Sequence, residues 1–297
     1  MSKYELIEAE KANYPITRMV DLLGVARSAY YKWARRVAAG PTARAVRAGE
    51  LTVKIIDAHG ESNGVYGAPR ILADLREAGE VVSVKTVARL MRGAGVAGIS
   101  PATWHPVTTT SDGAVHTIPD LVGRVFDRGV LDEVWTSDIT YLRTGEGWLY
   151  LCAVRDGCSR RVLGWAIAET LHTDVVENAL RSAVTMRGRD VTGVIFHADR
   201  GTQYTSDQLA QAAGEVGARV SMGRTGVCWD NAQIESFWST LKHEYYNRQS
   251  FATKHEARHG VGRWIEETYN HRRRHSSIGM ISPVAFEELN TPAAQAA

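Results

Sequence analysis

Three acidic residues stand in local sequences that could bring their carboxylates to one site. Asp138 lies within a run of β-branched and aromatic residues that predicts a strand. Asp199 directly follows a second apolar run of the same kind. Glu235 comes after 35 further residues, in a segment with helical spacing. Two carboxylates at strands and one on a helix could converge on divalent cations.

Such a set of carboxylates suits phosphodiester chemistry. Mg²⁺ and Mn²⁺ prefer oxygen ligands, and two ions ~3.5–4 Å apart can hold both the attacking and the leaving oxygen of a phosphoryl transfer. The nucleophile would be water or a DNA 3′ hydroxyl, so no covalent protein nucleophile is needed. Each acid alone also has an ordinary alternative, since Asp138 could be a strand cap and Glu235 an exposed helix residue. The three together favour a metal site.

The helix around Glu235 carries further candidates. Ser239 and Lys242 follow Glu235 by four and seven residues, so the three side chains share one helix face. Lys242 could hold a phosphate or a base close to the metal site. Asn231, together with Asp230, is predicted to cap the start of this helix.

His197 precedes Asp199 by two residues, so in a strand both side chains lie on one face. It could orient a water or the scissile phosphate. A core histidine with both nitrogens satisfied is an equally good interpretation.

The elements around these acids predict an α/β domain. Runs at 135–141, 148–154 and 161–167 are spaced for three antiparallel strands. A helix over 175–183, the strand before Asp199, a helix after Ser206 and a short strand at 219–222 follow. This order is typical of a ribonuclease H-like domain, with a mixed five-stranded sheet flanked by helices.

The residues before this domain predict two helix-turn-helix modules. The first has apolar residues at helical spacing, a break at Gly24 and a second helix with aromatic and basic residues; its apolar residues are Ile16, Met19, Val20, Leu22 and Leu23. In the second, Pro69 lies near a helix start and Ser83 caps another helix. The predicted domains are residues 1–48, 49–100, a linker 101–125, the core 126–290 and a flexible tail 291–297.

Charge and composition favour a polyanion partner. The net charge is only +2, but basic residues cluster between 27 and 54 and again at 272–274. Candidate DNA contacts are Arg27, Lys32, Arg70, Arg272 and Arg274. A solvated helix face is the alternative for each cluster. The three cysteines form no CxxC pair, and no stretch is apolar enough for a membrane span, so we expect a cytoplasmic protein.

Four stretches resemble the insertion-sequence 3 family of transposases, and specifically its downstream-frame (OrfB) product, which carries a ribonuclease H-like catalytic core of the retroviral-integrase type. They are residues 135–141, 197–206, 228–242 and 269–283, and a fifth stretch at 66–71 resembles the start of the family's second helix-turn-helix. The resemblance spans roughly residues 15–288. Ala198 stands where a serine is common and Val227 where an asparagine is common, and neither is a predicted metal ligand.

The resemblance implies specific roles. Asp138, Asp199 and Glu235 would be the DDE triad with two Mg²⁺ ions, and Lys242 the basic residue two helical turns after the glutamate. Members cut one strand at an element end and join the freed 3′ hydroxyl to DNA through a circular intermediate. We therefore expect double-stranded DNA as partner, a homo-oligomer on DNA, and fusion or association with an upstream-frame (OrfA) product carrying a leucine zipper.

Two other functions share these residues. A ribonuclease H-like nuclease that does not join strands would use the same carboxylates, although two DNA-binding modules are not obviously needed for it. A DNA-binding regulator, either an inhibitor made from the downstream frame or a decayed copy, would keep the helical modules without catalysis, and the three intact acids argue against decay.

Overall fold

The computed structural model describes residues 1–100, 118–188, 190–223 and 228–290, with only the backbone at 228 and 229. The chain forms two compact units, Met1–Gly98 and Ile99–Ala297. The predicted tail and most of the predicted linker lie outside the described residues. No helix in the described part of the chain is long and apolar enough to cross a bilayer.

The first unit begins with three short helices: α1 (Lys3–Glu10), α2 (Ile16–Leu22) and α3 (Arg27–Ala38). Gly24 ends the α2 region with a φ of +60°, which a residue with a side chain rarely adopts. The three helices pack around a small core formed by Ile7, Met19, Val20 and Tyr30. Leu22, predicted to belong to the apolar face, is instead 78% exposed because it ends α2 on the solvent side.

Three more helices complete the first unit: α4 (Ala43–Glu61), α5 (Ala68–Glu77) and α6 (Val84–Gly93). Pro69 lies in the first turn of α5, and the Ser83 hydroxyl accepts from the Thr86 amide to cap α6. The apolar faces pack together through Ile71, Leu72, Leu75, Val87, Leu90 and Met91. Helix α4 was not predicted, and it runs continuously through the proposed module boundary at residues 48 and 49.

The second unit contains a mixed five-stranded sheet, as predicted. Its strands are β1 (Val134–Thr144), β2 (Gly147–Asp156), β3 (Val162–Ala168), β4 (Ile195–Ala198) and β5 (Arg219–Met222). Their order is β3-β2-β1-β4-β5. The first three form an antiparallel meander, whereas β4 runs parallel to both β1 and β5. The parallel pairs follow from the crossover helices that join them.

Helices cover both faces of the sheet. One face packs on α7 (Asp174–Arg187) and α8 (Asp207–Glu215). The other face packs on α9 (Ala232–Glu244), on α10 (Lys254–Arg263) and on a π-helical turn (Trp264–Asn270). Since both faces of β2 are covered over most of its length, its side chains from Leu151 to Asp156 are buried without interruption.

The edges of this unit are tied to the sheet. Val122, which composition placed in the linker, is buried against Val134 and Ile195, so the folded unit already includes residues near 122. The last helix, α11 (Pro283–Leu289), is held by Glu287, which bonds through both carboxylate oxygens to Arg187 of α7.

Candidate active site

Strand pairing brings the first two carboxylates together. In the parallel β1–β4 pair, Thr136 lies opposite His197. Asp138 follows Thr136 by two residues, and Asp199 follows His197 by two residues. The two aspartates therefore occupy matching positions just beyond this pair. Neighbouring strands are about 4.8 Å apart, which places the two carboxylates on neighbouring backbones. Each strand thus positions one acid, and the pairing positions both.

Helix α9 brings the third carboxylate over β1. The Trp238 indole Nε1 donates to Asp138 Oδ2 at 2.9 Å, which anchors the helix directly on the acid. Glu235 precedes Trp238 by three residues, so it lies on the same helix face. The second Asp138 oxygen, Oδ1, accepts from the Ile139 amide at 2.8 Å. The structure therefore assembles Asp138, Asp199 and Glu235 from two strands and one helix.

The pKa values of the three carboxyl groups all shift upward, and burial is the largest cause in each case. Burial, and secondly the charge of Asp199, raise the pKa of Asp138 to about 7, although two hydrogen bonds oppose this. Burial and then the charge of Asp199 also raise the pKa of Glu235. The Asp199 side chain reaches solvent, yet the atoms around it exclude enough water to raise the pKa of its carboxyl as well.

This accumulation of negative charge suits a divalent cation. Burial and the neighbouring charge of Asp199 make ionisation of Asp138 less favourable than in water. A bound cation would offset that cost, and carboxylate oxygens are the ligands that Mg²⁺ and Mn²⁺ prefer. No group of three His, Cys, Asp or Glu side chains in the described ranges is close enough to hold one ion together. A two-ion centre does not require one, because DNA and water oxygens complete each shell.

The loop after Asp199 is held in place by polar contacts. Asp199 Oδ1 accepts from the Gly201 amide at 3.0 Å, and the Arg200 Nε donates to the Gly223 carbonyl at 2.8 Å. The Tyr204 hydroxyl lies 3.0 Å from the hydroxyl of Ser137, the residue that precedes Asp138. The loop and β1 are thereby joined next to both aspartates.

His197 fits its alternative role as a core histidine. It is 1% exposed, with Nδ1 2.9 Å from the Ser221 hydroxyl and Nε2 2.8 Å from the Asp230 carbonyl. Burial lowers the pKa of its imidazole. Since both ring nitrogens have protein partners, neither is directed at a substrate.

Asn231 occupies the N-terminal cap position of α9, but its side chain does not cap the helix as predicted. Its Nδ2 instead donates to the Ser137 carbonyl at 3.3 Å, beside Asp138. Asp230 also turns away, because it pairs with Arg124 at 2.7 Å. The buried Asn231 Oδ1 has no hydrogen-bond partner among the described residues. Asn231 therefore ties the start of α9 to β1.

Lys242 lies within reach of the site. Burial lowers the pKa of its ammonium, and the charge of Asp138 partly opposes this effect. Its ammonium forms no hydrogen bond or ion pair within the described part of the chain. Ser239, on the same helix face, is occupied instead with His243, whose Nδ1 is 3.3 Å from its hydroxyl. Lys242 is therefore the cation available to a phosphate here.

The predicted DNA contacts in the helical modules are accessible to different degrees. Arg27 and Lys32 are exposed on α3, and the Arg27 guanidinium lies 5.7 Å from the centre of the Tyr31 ring. Arg70 is half-buried at the start of α5, with its guanidinium 5.4 Å from the Tyr66 ring centre.

The basic triplet at 272–274 is divided among different contacts. Arg272 is exposed and donates to the Glu267 carbonyl at 3.1 Å. Arg274 donates to the Met280 carbonyl at 2.8 Å. Arg273, not predicted as functional, is buried and bonds to both carboxylate oxygens of Glu244 at 2.6 Å. Through Arg273 this segment is thus joined to Glu244, the last residue of α9.

Sequence reasoning missed two sets of residues. Trp238 was noted only as a neighbour, although its spacing of three from Glu235 was a usable signal. The second set is an exposed basic row on α6, formed by Lys85, Arg89 and Arg92. Their spacing of four and three residues places them on one helix face, opposite the buried apolar residues of α6.

Fold and site together define an enzyme of the DDE integrase and transposase class. Integrase core domains match residues 132–228 and 216–283, and a helix-turn-helix-like domain matches residues 47–102. The first match covers Asp138 and Asp199, and the second covers Glu235. The DDE two-metal mechanism is typical of this domain.

Full-length relatives identify the family. The transposase InsF of insertion sequence IS3A from Escherichia coli (strain K12) is 37% identical over 288 residues, 97% of this chain and 99% of the relative. The insertion element IS600 uncharacterized 31 kDa protein of Shigella sonnei is 34% identical over 270 residues, 91% of this chain and 97% of the relative. The chain belongs to the IS3 family of transposases.

Similarity to solved structures is weaker. The catalytic core of HTLV-2 integrase in complex with magnesium is 13% identical, covers 50% of this chain and 93% of that one, and has a TM-score of 0.39. The family assignment therefore rests on the sequence relatives.

Proposed function

We propose that Asp138, Asp199 and Glu235 act as one centre that holds two Mg²⁺ ions, with Mn²⁺ as a substitute, and that both strand cleavage and strand transfer occur there. The observation that carries this proposal is the hydrogen bond from Trp238 to Asp138, since it fixes the helix of Glu235 against the strand pair of the two aspartates. When bound, the ions would activate the attacking hydroxyl and stabilise the departing 3′ oxyanion.

The protein groups have separate tasks in this proposal. Asp138 and Asp199 supply oxygen ligands from rigid strands, and Glu235 supplies them from α9. Trp238 and the Ile139 amide hold the Asp138 carboxylate in one orientation. Lys242 holds a DNA phosphate beside the carboxylates, because its ammonium interacts electrostatically with Asp138. His197 and Asn231 position backbone around the site, without touching the substrate.

The helical modules would recognise the ends of the element. Phosphate contacts fix the position of DNA, whereas base-edge contacts select its sequence. We assign Arg27, Lys32 and Arg70 to the first unit's DNA surface, and add the exposed row on α6. Arg272 is the exposed member of its triplet and could contact DNA from the second unit. Arg274 is a weaker candidate because its guanidinium is engaged by Met280.

Partners follow from the family assignment. We propose that the chain works as a homo-oligomer on double-stranded DNA, fused to or associated with an upstream-frame OrfA product. Because its substrate is chromosomal and element DNA, its place of action would be the bacterial nucleoid in the cytoplasm.

Substitution of the three acids tests the proposal. Asp138→Asn, Asp199→Asn and Glu235→Gln keep side-chain shape but remove the negative charge that a metal ligand needs. We expect each to lower Mg²⁺-dependent nicking of a labelled element end at least about a thousandfold, with DNA binding retained. Asp207→Asn is the control, since Asp207 is exposed on α8 and lies outside the site. Unchanged nicking in Asp199→Asn or Glu235→Gln would show that the assignment is wrong.

A further inference from the structure

A second surface with recognisable chemistry lies on the sheet face opposite Asp138. Strand side chains alternate between faces, and Asp138 faces α9, where it bonds to Trp238. Tyr141 and Arg143 lie on the other face of β1. Their direct partners on β2 are Tyr150 and Trp148, which lie on that same face. We name this surface the hairpin platform, formed by Tyr141, Arg143, Trp148 and Tyr150.

The platform exposes large aromatic side chains. Tyr141 is 52% exposed and Trp148 is 51% exposed. The Tyr141 and Tyr150 rings meet edge to face with centroids 5.3 Å apart, so neither covers the other. On β3 the residue opposite Tyr150 is Ala168, whose small side chain leaves the rings uncovered on that side. Exposed aromatic groups that share one face commonly mark a binding site.

The platform also carries a free positive charge. Arg143 is exposed, and its guanidinium has no hydrogen bond or ion pair within the ranges that the structure describes. Two acids that follow β1 and β3 have other partners: Glu146 accepts from the Lys254 amide, and Glu169 pairs with Lys254 at 2.7 Å. Lys254 begins α10, which packs on the opposite face of the sheet. The aromatic rings are therefore accompanied by an exposed cation that forms no ion pair with the described residues.

We propose that the hairpin platform binds an unpaired DNA strand. Exposed aromatic rings on a sheet face stack with bases, whose faces are accessible only when the strand is unpaired. Arg143 would contact a phosphate or stack on a base. The platform lies on the sheet face opposite Asp138, so it is distinct from the catalytic centre. It goes beyond the proposed function, because binding there requires neither metal nor cleavage.

A second copy of this chain fits the platform less well. In a two-fold contact the same surface meets itself, so the two Arg143 side chains would approach each other. The platform offers no acid to offset that repulsion. An unpaired DNA strand supplies both complementary groups: anionic phosphates for Arg143 and flat bases for the aromatic rings.

Binding of a labelled 20-nucleotide oligo(dT) to the full-length chain, in EDTA, tests the proposal by fluorescence anisotropy. We expect Trp148→Ala to weaken binding about tenfold, since stacking of one base contributes on that order. Trp148→Phe should retain most of the affinity because the ring remains. Arg143→Gln should weaken binding and reduce its salt dependence. Tyr14→Ala is the control, as Tyr14 is 56% exposed but lies outside the platform.

Binding to a duplex element end, measured in parallel, separates this site from the helical modules. The platform variants should bind duplex like the unchanged chain and keep its thermal transition. Equal single-strand affinity in Trp148→Ala would overturn the proposal, as would an equal loss for duplex. A change of oligomeric state in sedimentation, without a change in single-strand affinity, would assign the surface to a protein contact instead. Asp199→Asn should bind the oligonucleotide normally whether or not it cleaves DNA. A failure of the proposed catalytic centre can therefore be distinguished from a failure of the proposed single-strand site.

Discussion

At the scale of residues, the orientation of one carboxylate depends on an indole. Asp138 is fixed by two hydrogen bonds, from the Ile139 amide and from Trp238. The amide is a near neighbour in the chain, whereas Trp238 comes from α9 and sets the distance between helix and strand. Groups that orient metal ligands typically affect metal affinity by 10–100-fold when removed.

Trp238→Phe tests this positioning role. The ring remains, but the donor to Asp138 is lost, so we expect half-maximal nicking to require about tenfold more Mg²⁺. Trp165→Phe is the matched control, because it removes the same group from a bond to Glu266 on another part of the sheet. Reduced nicking at every metal concentration, with the same half-maximal value in both variants, would contradict a positioning role.

Residue types and spacing alone predicted three candidate acids, but not which contacts their neighbours make. The strand and helix patterns around Asp138, Asp199 and Glu235 could be read from the sequence, because each depends on local periodicity. The role of His197 could not, since its two partners, Ser221 and Asp230, come from distant segments. Contacts between segments far apart in sequence leave no local pattern.

At the scale of elements, α11 is attached to the core by a buried ionic cluster. Glu287 accepts from both terminal nitrogens of Arg187, from Arg161 at 2.6 Å and from the Ser159 hydroxyl at 2.7 Å. Burial alone would raise the pKa of Glu287, but these donors outweigh it and lower that pKa. The cluster therefore joins α11, α7 and the turn after β2.

Glu287→Gln should destabilise the second unit in a pH-dependent manner. Removing one partner of a buried ion pair costs about 3 kcal/mol, whereas Glu215→Gln, at an exposed pair with Arg181, should leave the free energy of unfolding nearly unchanged. Because the folded-state pKa of Glu287 lies below its ordinary value of 4.5, its contribution is complete above that pH and declines as pH falls below it. Urea unfolding at pH 7 and pH 3.5 should show the difference between Glu287→Gln and the unchanged chain shrinking in acid. A constant difference would contradict this linkage.

The elements of the second unit were largely predictable, and those of the first only in part. Strands β1 to β5 lie in alternating or apolar runs between turns, and such runs can be recognised in a sequence. The predicted five-stranded sheet was confirmed. Helix α4 was missed because its large apolar residues do not keep to one face: Leu51 and Ile55 are buried, whereas Val46, Val53 and Ile56 are exposed. It also contains two glycines. Its packing on α5 and α6 stabilises a helix that its own sequence indicates weakly.

At the scale of the whole molecule, recognition and chemistry are assigned to separate units. The helical unit ends at Gly98, and the site residues all lie in the second unit. We expect a chain lacking residues 1–98 to keep a cooperative thermal transition but to lose its preference for element ends over random duplex. The isolated unit, residues 1–98, should retain that preference, and Lys85→Gln with Arg89→Gln should weaken it. Electrophoretic mobility shifts with both duplexes measure this.

The control for this division is the catalytic variant. Asp199→Asn in the full-length chain should bind element ends with unchanged preference. Retention of the sequence preference by the shortened chain would place recognition in the second unit instead.

The central claim, that one carboxylate centre both cuts and joins DNA, is tested most directly by strand transfer from an end that is already cut. A labelled element end with a free 3′ hydroxyl is incubated with the chain, Mg²⁺ and a circular target, with the OrfA fusion assayed in parallel. We predict joined product that requires Mg²⁺ and is absent in Asp138→Asn, Asp199→Asn and Glu235→Gln. Nicking of uncut ends without any joining of the pre-cut end would contradict the claim and identify a nuclease, and joining that persists in Asp199→Asn would place the chemistry elsewhere.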